Sequence, residues 1–303
     1  MSNLPNQLTV TFWGVRGSIP SPGAETVRYG GNTPCVEMRV GQERLIFDGG
    51  TGIRMLGQSL LAEQPVEGHL FFTHSHWDHI QGFPFFAPAF IKGNRFHIYG
   101  AIAPNCSTME QRLHGQMLHP NFPVPLQIMA ADLRFYDLEV GQTIQIGDEI
   151  QVENRLLNHP GQAVGYRVSW RGCHAAYVTD TEHHPDRLDE NVLYLAQDAD
   201  VFIYDATYTD EEYAAGKEGW GHSTWQEAVK LAEAARVKQL VIFHHDPLHS
   251  DDFLDQVADK LVQAFPGGIM AREGLSIPIA PPTTIKMEKS SDPIPATLSG
   301  SRN

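Results

Sequence analysis

Residues 73–79 read Thr73-His74-Ser75-His76-Trp77-Asp78-His79, directly after the apolar run Leu70-Phe71-Phe72. The run predicts a buried β-strand, and the polar heptad marks where the chain leaves the core. In extended backbone alternate residues share a side, so His74 and His76 face together. Asp78 and His79 then fall at the following turn, where they can address a second ion. Neutral imidazoles and a carboxylate suit zinc, and iron or manganese also accept such nitrogen and oxygen donors. A merely solvated turn has no need of three histidines and an aspartate at these intervals.

The arrangement recurs along the chain. RLIF ends at Asp48, AAYVT at Asp180, VFIY at Asp205 and LVIF at His244. Each is an apolar, strand-like run closed by a residue able to bind or orient a metal. Strand ends of an α/β protein converge on one edge, where ligand crevices form. Of the adjacent His244 and His245, the first residue after the strand is the better placed.

These residues resemble the metallo-β-lactamase superfamily, whose signature H-x-H-x-D-H stands here as His74-Ser75-His76-Trp77-Asp78-His79. The family's first aspartate, before Gly-Thr-Gly, matches Asp48 in FDGGTG. Its next ligand histidine matches His159 in LLNHPGQAVGYRV, its bridging aspartate Asp180 in YVTDTEH, and its last histidine His244 in VIFHHDP. The resemblance implies an α/β fold, a four-layered αββα sandwich with a dinuclear metal site at one edge. It further implies that His74, His76 and His159 hold one divalent ion, that Asp78, His79 and His244 hold a second, and that Asp180 bridges them. Asp48 would orient the ligand loop from outside, as outer carboxylates commonly do.

The remaining composition narrows the class. There are 22 basic against 36 acidic side chains, a formal charge of −14, which disfavours a protein that grips long nucleic acid through many phosphates. A small phosphorylated substrate is not excluded, because bound divalent ions reverse the local field. Cys35, Cys106 and Cys173 form no C-x-x-C pair, which argues against a disulfide framework or a thiolate zinc site. The start MSNLPNQLTV lacks a signal pattern and no apolar run reaches membrane length, so a soluble cytoplasmic protein without a membrane partner is expected.

Strand-like runs begin near residues 8, 35, 44, 69, 95, 174, 201 and 239. Helical spacing appears from Ile53 to Leu61, from Trp225 to Ala235, and through Phe253, Val257, Leu261 and Phe265. No internal repeat is visible. A single domain over residues 1–276 is expected, with 101–136 as a candidate lid or dimerisation insertion carrying a helix near 108–119. Residues 277–303, rich in Pro, Ser and Thr, read as a poorly ordered tail.

The reaction is to be read between Asp180 and His244. A phosphodiester has a poor alkoxide leaving group and benefits from a general acid beside the metals. The sequence offers His222, with Asp205 as its carboxylate partner, in front of a helix whose start carries capping-box candidates Ser223 with Gln226 or Thr224 with Glu227. Asp205-Ala206-Thr207 and Gly221-His222-Ser223-Thr224 look like segments of the phosphodiesterase branch that contains ribonuclease Z, with Asp78, His222 and Asp205 as catalytic residues. Aspartate replaces the branch's usual glutamate at 205. The protruding basic arm by which ribonuclease Z grips tRNA has no counterpart here, since His159 and Asp180 stand close in the chain. The expected substrate is therefore a small phosphodiester such as a cyclic nucleotide. The alternatives are a ribonuclease Z-like RNA endonuclease, a lactonase or thioesterase on the same metals, and a non-catalytic nucleotide sensor. Arg16, Asn32, Thr33 and His183, with His184 beside it, are candidate substrate contacts, and a homodimer is a candidate assembly.

Overall fold

In the computed structural model, which describes residues 7–282, the strand-like runs assemble into two seven-stranded sheets. The first holds β1 (Leu8–Gly14), β2 (Cys35–Val40), β3 (Glu43–Phe47), β4 (Glu67–Phe72), β5 (Arg95–Ala101) and β6 (Asp132–Leu138). The second holds β7 (Thr143–Ile146), β8 (Ile150–Leu157), β9 (Ala163–Trp170), β10 (Cys173–Val178), β11 (Val201–Asp205), β12 (Gln239–Phe243) and β13 (Gly268–Met270). A last strand, β14 (Ser276–Ile279), returns to the first sheet and pairs antiparallel with β1, Leu8 opposite Ile279.

Three apolar interiors divide the molecule into four layers. Phe47, Phe71, Tyr166, Tyr177 and Phe243 pack between the sheets. Leu56, Phe72, Phe96 and Leu113 lie between the first sheet and its helices, α1 (Gly52–Leu60), the short α2 (Trp77–Ile80) and α3 (Met109–Gln116). Phe202, Leu231 and Leu261 lie beneath α4 (Glu190–Ala196), α6 (Trp225–Ala234) and α7 (Asp251–Ala264), which cover the second sheet; the short α5 (Asp210–Ala214) precedes α6. This is the αββα sandwich. Strand burial follows from position. β1 alternates buried and half-buried residues, whereas β9 and β10 are buried on nearly every residue, as befits central strands covered on both faces.

Although the sequence shows no repeat, the two sheets repeat one pairing scheme. β1, β2 and β3 are antiparallel neighbours and β3 through β6 run parallel. β8, β9 and β10 are likewise antiparallel and β10 through β13 parallel. Asp48 and Asp180 therefore follow corresponding strands, β3 and β10, of the two halves.

Two expectations need correction. The folded chain continues past residue 276, because Ile277 and Ile279 bury their side chains at 5% exposure each while Pro278 faces outward on an edge strand, where its missing N–H costs nothing. The rest of the expected tail, from residue 283, lies outside the described residues. Segment 101–136 is a crossover between parallel β5 and β6 and not an appended arm: Met109, Leu113 and Met117 are buried beneath it. Its α3 starts on a reciprocal capping box between Thr108 and Gln111. No helix among the described residues is long and apolar enough to cross a membrane.

Candidate metal centre and catalytic dyad

The ends of β3 and β4 meet those of β10, β11 and β12 at one rim of the sandwich. Three of the residues that leave these strands turn sharply, with positive φ: Asp48 (61°), Asp180 (55°) and His244 (64°). Left-handed backbone is uncommon for residues other than glycine and concentrates at functional sites. Here it aims three side chains into the rim that would otherwise continue the strands' alternation.

The structure brings together two sets of donor atoms that share Asp180: His74, His76, His159 and Asp180, and then Asp78, His79, Asp180 and His244, the atoms of each set lying within 4.8 Å of one another. The outer nitrogens of four rings are already engaged. His79 Nδ1 donates to Asp48 Oδ2 at 2.8 Å and His159 Nδ1 to the Gly221 carbonyl at 2.8 Å. His74 Nδ1 meets Thr73 Oγ1 at 3.0 Å, and that hydroxyl's single proton goes to Asp48. His244 Nδ1 meets Thr207 Oγ1 at 3.0 Å, and that hydroxyl donates to Asp205 at 2.8 Å. Each ring therefore carries its proton on Nδ1 and turns an Nε2 lone pair inward. The inward nitrogens face carboxylate oxygens: His79 Nε2 is 3.1 Å and His244 Nε2 3.3 Å from Asp180 Oδ1, while His74 Nε2 is 3.5 Å from Asp180 Oδ2. The Nε2 atoms of His74 and His79 are buried without a hydrogen-bond partner. Acceptors facing acceptors in a buried space call for cations between them, and nitrogen with carboxylate oxygen is the donor set of zinc and its neighbours. The residues fit the ions.

Electrostatics agree. Burial lowers the pKa of His74, His76 and His159, which keeps those rings neutral. Burial also opposes charge on His79, yet Asp180, Asp78 and Asp48 hold it well above its ordinary value, so the position favours positive charge. Burial would raise Asp180, but His244, His79 and His74 hold it well below the usual carboxylate range; Asp78 is held low in the same way, chiefly by His79 and His244.

Close packing explains two glycine-rich motifs. A Cβ on Gly17 would sit 2.4 Å from the His244 ring, and one on Gly221 (φ 84°) would sit 2.4 Å from Nδ1 of His159. Backbone lies directly against both ligand rings, which only glycine allows. Beside Gly17, the amide of Ser18 donates to Asp78 Oδ2 at 2.8 Å.

His222 stands next to this centre. Its Nδ1 is 2.8 Å from Asp205 Oδ2, and its ring stacks on His244 with centroids 4.9 Å apart. Burial alone would lower its pKa, but the charge and hydrogen bond of Asp205, with Asp180 and Asp78 beyond, raise it to about 9. Asp205 accepts further bonds from the amides of Thr181 and Thr207 and the Thr207 hydroxyl. Asp205, His222 and His244 also form a set with metal-like spacing, but Asp205 and Nδ1 of His222 are committed to each other, and the pair reads as a proton-holding dyad. His222 precedes α6, whose cap is Thr224 accepting from the Glu227 amide. The Ser223 hydroxyl is used elsewhere, between His183 Nδ1 and Tyr204.

Several expected substrate contacts are otherwise engaged. Arg16 is fully buried and donates to the carbonyls of Gly30, Asp246 and His249, with Asp251 at 3.7 Å. It clips the β1–β2 connection to the β12–α7 connection, with its guanidinium turned inward. Asn32 is held by Glu273 through its amide and side chain. Thr33 is buried and exchanges hydrogen bonds with Thr51. His183 packs on Tyr213 and bonds Ser223, and His184 faces Asp189 at 3.4 Å. His245 turns away and donates to the Ala271 carbonyl. The mouth itself is a cleft of about 410 Å³ lined by Ser18, Ser75, His76, Trp77, Asp78, Asp180 and His222. A larger cleft of about 650 Å³ opens around His69 and His97, near the opposite ends of β4 and β5, away from these groups.

One residue escaped the sequence reading. Glu182, two positions past Asp180, accepts from the amides of Gly219 and Gly221 at 2.7 and 2.8 Å and from the Tyr213 hydroxyl. It fixes the loop that presents His222. A charged residue just past a strand-end aspartate was the available signal.

Among known proteins, the family described as Beta-lactamase superfamily domain matches residues 43–245. A protein of Gemmatimonas aurantiaca named Ribonuclease Z is 25% identical, aligned over 90% of this chain and 96% of its own length. A second of that name, from Thermococcus gammatolerans, is 27% identical over 84% and 90%. Among solved structures, the metallo-β-lactamase fold protein YhfI of Bacillus subtilis superposes with a TM-score of 0.68 at 17% identity, over 90% of this chain and 100% of that one. The short form of human tRNase Z gives 0.63 at 20% identity, over 89% and 99%. Zn(2+)-bound PqqB of Methylobacterium extorquens gives 0.63 at 16%, over 89% and 99%. At these identities the solved structures speak to the fold.

Proposed function

The chain belongs to the β-lactamase superfamily, and from that premise we propose that it is a metal-dependent phosphodiester hydrolase in which His222, held by Asp205, protonates the leaving oxygen. The observation that carries this reading is the dyad itself: Nδ1 of His222 on Asp205 at 2.8 Å, with the ring against the ligand His244. His74, His76 and His159, and Asp78, His79 and His244, with Asp180 common to both sets, would hold two divalent cations, zinc foremost, whose Lewis acidity would lower the pKa of a water and offset phosphate charge. The chain's own residues do the rest. Asp48 fixes His79, and Thr207 fixes His244 while tying it to Asp205. With Nδ1–H directed at Asp205, the proton to be given away resides on Nε2, toward the mouth. A poor alkoxide leaving group requires such a donor, whereas a lactone or thioester does not.

The relatives named Ribonuclease Z, aligned over most of the chain, support an RNA phosphodiester. The formal charge of −14 supports a substrate gripped at few phosphates. So does the segment between His159 and Asp180, which is taken up by β9, β10 and the tight turn Arg171-Gly172 without a basic arm. A short or single-stranded RNA end satisfies both, and a cyclic nucleotide is the smaller alternative. Association into a homodimer is proposed separately, with sedimentation as its test.

The test measures metal content and then turnover by wild type, Asp180→Ala and His222→Ala. The substrates are a short RNA with a 3′ extension, 3′,5′-cyclic nucleotides, an aryl phosphodiester, a lactone and a thioester. Asp180→Ala should lose metal and all turnover. His222→Ala should lose roughly 10²- to 10⁴-fold on the nucleotide substrates and far less on the aryl ester. Robust lactone or thioester hydrolysis without phosphodiester turnover overturns the reading.

A further inference from the structure

Trp220, two residues before His222, is 58% exposed, yet its backbone is not loose. The amides of Gly219 and Gly221, on either side of it, are both gripped by the carboxylate of Glu182. One side of its ring is occupied: the Lys217 ammonium lies 4.2 Å from the ring centroid. The same ammonium lies 5.1 Å from the ring of Tyr208, which in turn meets the His222 ring edge-on at 6.1 Å. Lys217 has no carboxylate partner among the described residues. A continuous path thus leads from His222 through Tyr208 and Lys217 to an indole with an uncovered face in solvent.

A general acid must sit within hydrogen-bond reach of the oxygen it protonates. Whatever is attached to that oxygen therefore lies on the His222 side of the mouth, the side on which the Gly219–Gly221 loop carrying Trp220 leads into His222. We infer that Trp220, backed by Lys217 and clamped by Glu182, is a stacking platform for the base of the nucleoside whose oxygen leaves. The inference rests on the phosphodiesterase reading and deepens it, since it requires a substrate with an aromatic base beside the scissile bond and not a bare alkyl diester. Bases stack on exposed aromatic rings without regard to sequence, and a lysine behind the ring adds attraction for a neighbouring phosphate. One such stack is worth about 1–3 kcal/mol, roughly 5- to 150-fold in binding.

The test uses metal-loaded full-length protein with adenylyl-adenosine and its two analogues that each lack one base. In wild type, removal of one particular base should lower kcat/KM about tenfold, mainly through KM. In Trp220→Ala the ratio between the two substrates should collapse toward one, Trp220→Phe should keep most of it, and Lys217→Ala should fall between. A ratio unchanged in Trp220→Ala overturns the inference. So does a change in sedimentation of Trp220→Ala with the ratio intact, which assigns the ring to a contact between copies of the chain. If wild type cleaves none of the three, the phosphodiesterase reading fails, and the platform is decided by tryptophan emission. Quenching by adenosine 3′-phosphate that is lost in Trp220→Phe supports it; equal quenching in both proteins sinks it.

Discussion

Asp48 and Asp180 follow corresponding strands of the two sheets, and each takes one nitrogen of His79: Asp48 Oδ2 at 2.8 Å from Nδ1, Asp180 Oδ1 at 3.1 Å from Nε2. One aspartate is thus committed to orienting the ring and the other to sharing the ions it would bind. The division of labour follows from hydrogen bonding. Asp48 is saturated by the amide and hydroxyl of Thr73 and the hydroxyl of Tyr177, whereas Asp180 faces the Nε2 atoms of four rings, His74, His79, His159 and His244.

Asp48→Ala should weaken metal binding by roughly 10- to 100-fold. It should also destabilise the metal-free protein, because the Thr73 amide, the Tyr177 hydroxyl and Nδ1 of His79 all lose a buried acceptor. Asp48→Asn, which tolerates the positive φ, should keep more of both. Chelator competition and urea unfolding on the two variants check this. Equal metal affinity in wild type and Asp48→Ala refutes the orienting role.

The Asp205–His222 pair sets a pH dependence whose sign is fixed. The folded-state pKa of about 9 lies above the ordinary histidine value, so the pair's stabilisation is complete below about pH 6.5 and is lost as pH rises through about 9. Its full size is about 3 kcal/mol. In Asp205→Asn the largest raising influences, the charge and hydrogen bond of Asp205, are gone, so the His222 pKa should fall. Histidine NMR titration of the metal-free protein reads this directly. In the loaded enzyme the alkaline limb of kcat/KM should move down in the same variant. An unmoved His222 resonance contradicts the dyad.

Arg16 separates a structural from a substrate role. Arg16→Met should cost roughly 3–5 kcal/mol, since it leaves Asp251 and three loop carbonyls without their buried cation. The folded fraction should keep the KM of wild type for phosphodiesters. A raised KM at unchanged stability would return Arg16 to the substrate.

The cluster of candidate metal donors was legible because metal chemistry constrains residue type: THSHWDH, Asp180 and His244 announce themselves at strand ends. The scaffold between them was less so. β8 and β9 carry Asn154, Arg155 and Arg167 within their strands, with Asn154 and Arg167 buried and bonded to backbone carbonyls, which breaks the apolar pattern that marks a strand. β14 hides in a proline-rich stretch because an edge strand tolerates Pro278. The loop-knitting bonds of Arg16 and Thr33 were hidden for a different reason. A glycine-rich turn between strands looks the same whether its polar side chains meet a ligand or knit loops, and only tertiary placement decides. The repeat of pairing in the two sheets leaves no trace in sequence because each half packs against different helices.

The left-handed residue at 180 has a consequence for how this protein responds to selection. Asparagine would hold its backbone angle with less strain and would remove a carboxylate buried beside Asp78. A library selected for heat resistance without metal should therefore drift toward Asn at 180 and emerge inactive, while Asp48, which Thr73, Tyr177 and His79 all need as an acceptor, stays. The rim of this sandwich is a place where robustness and chemistry compete for the same residue.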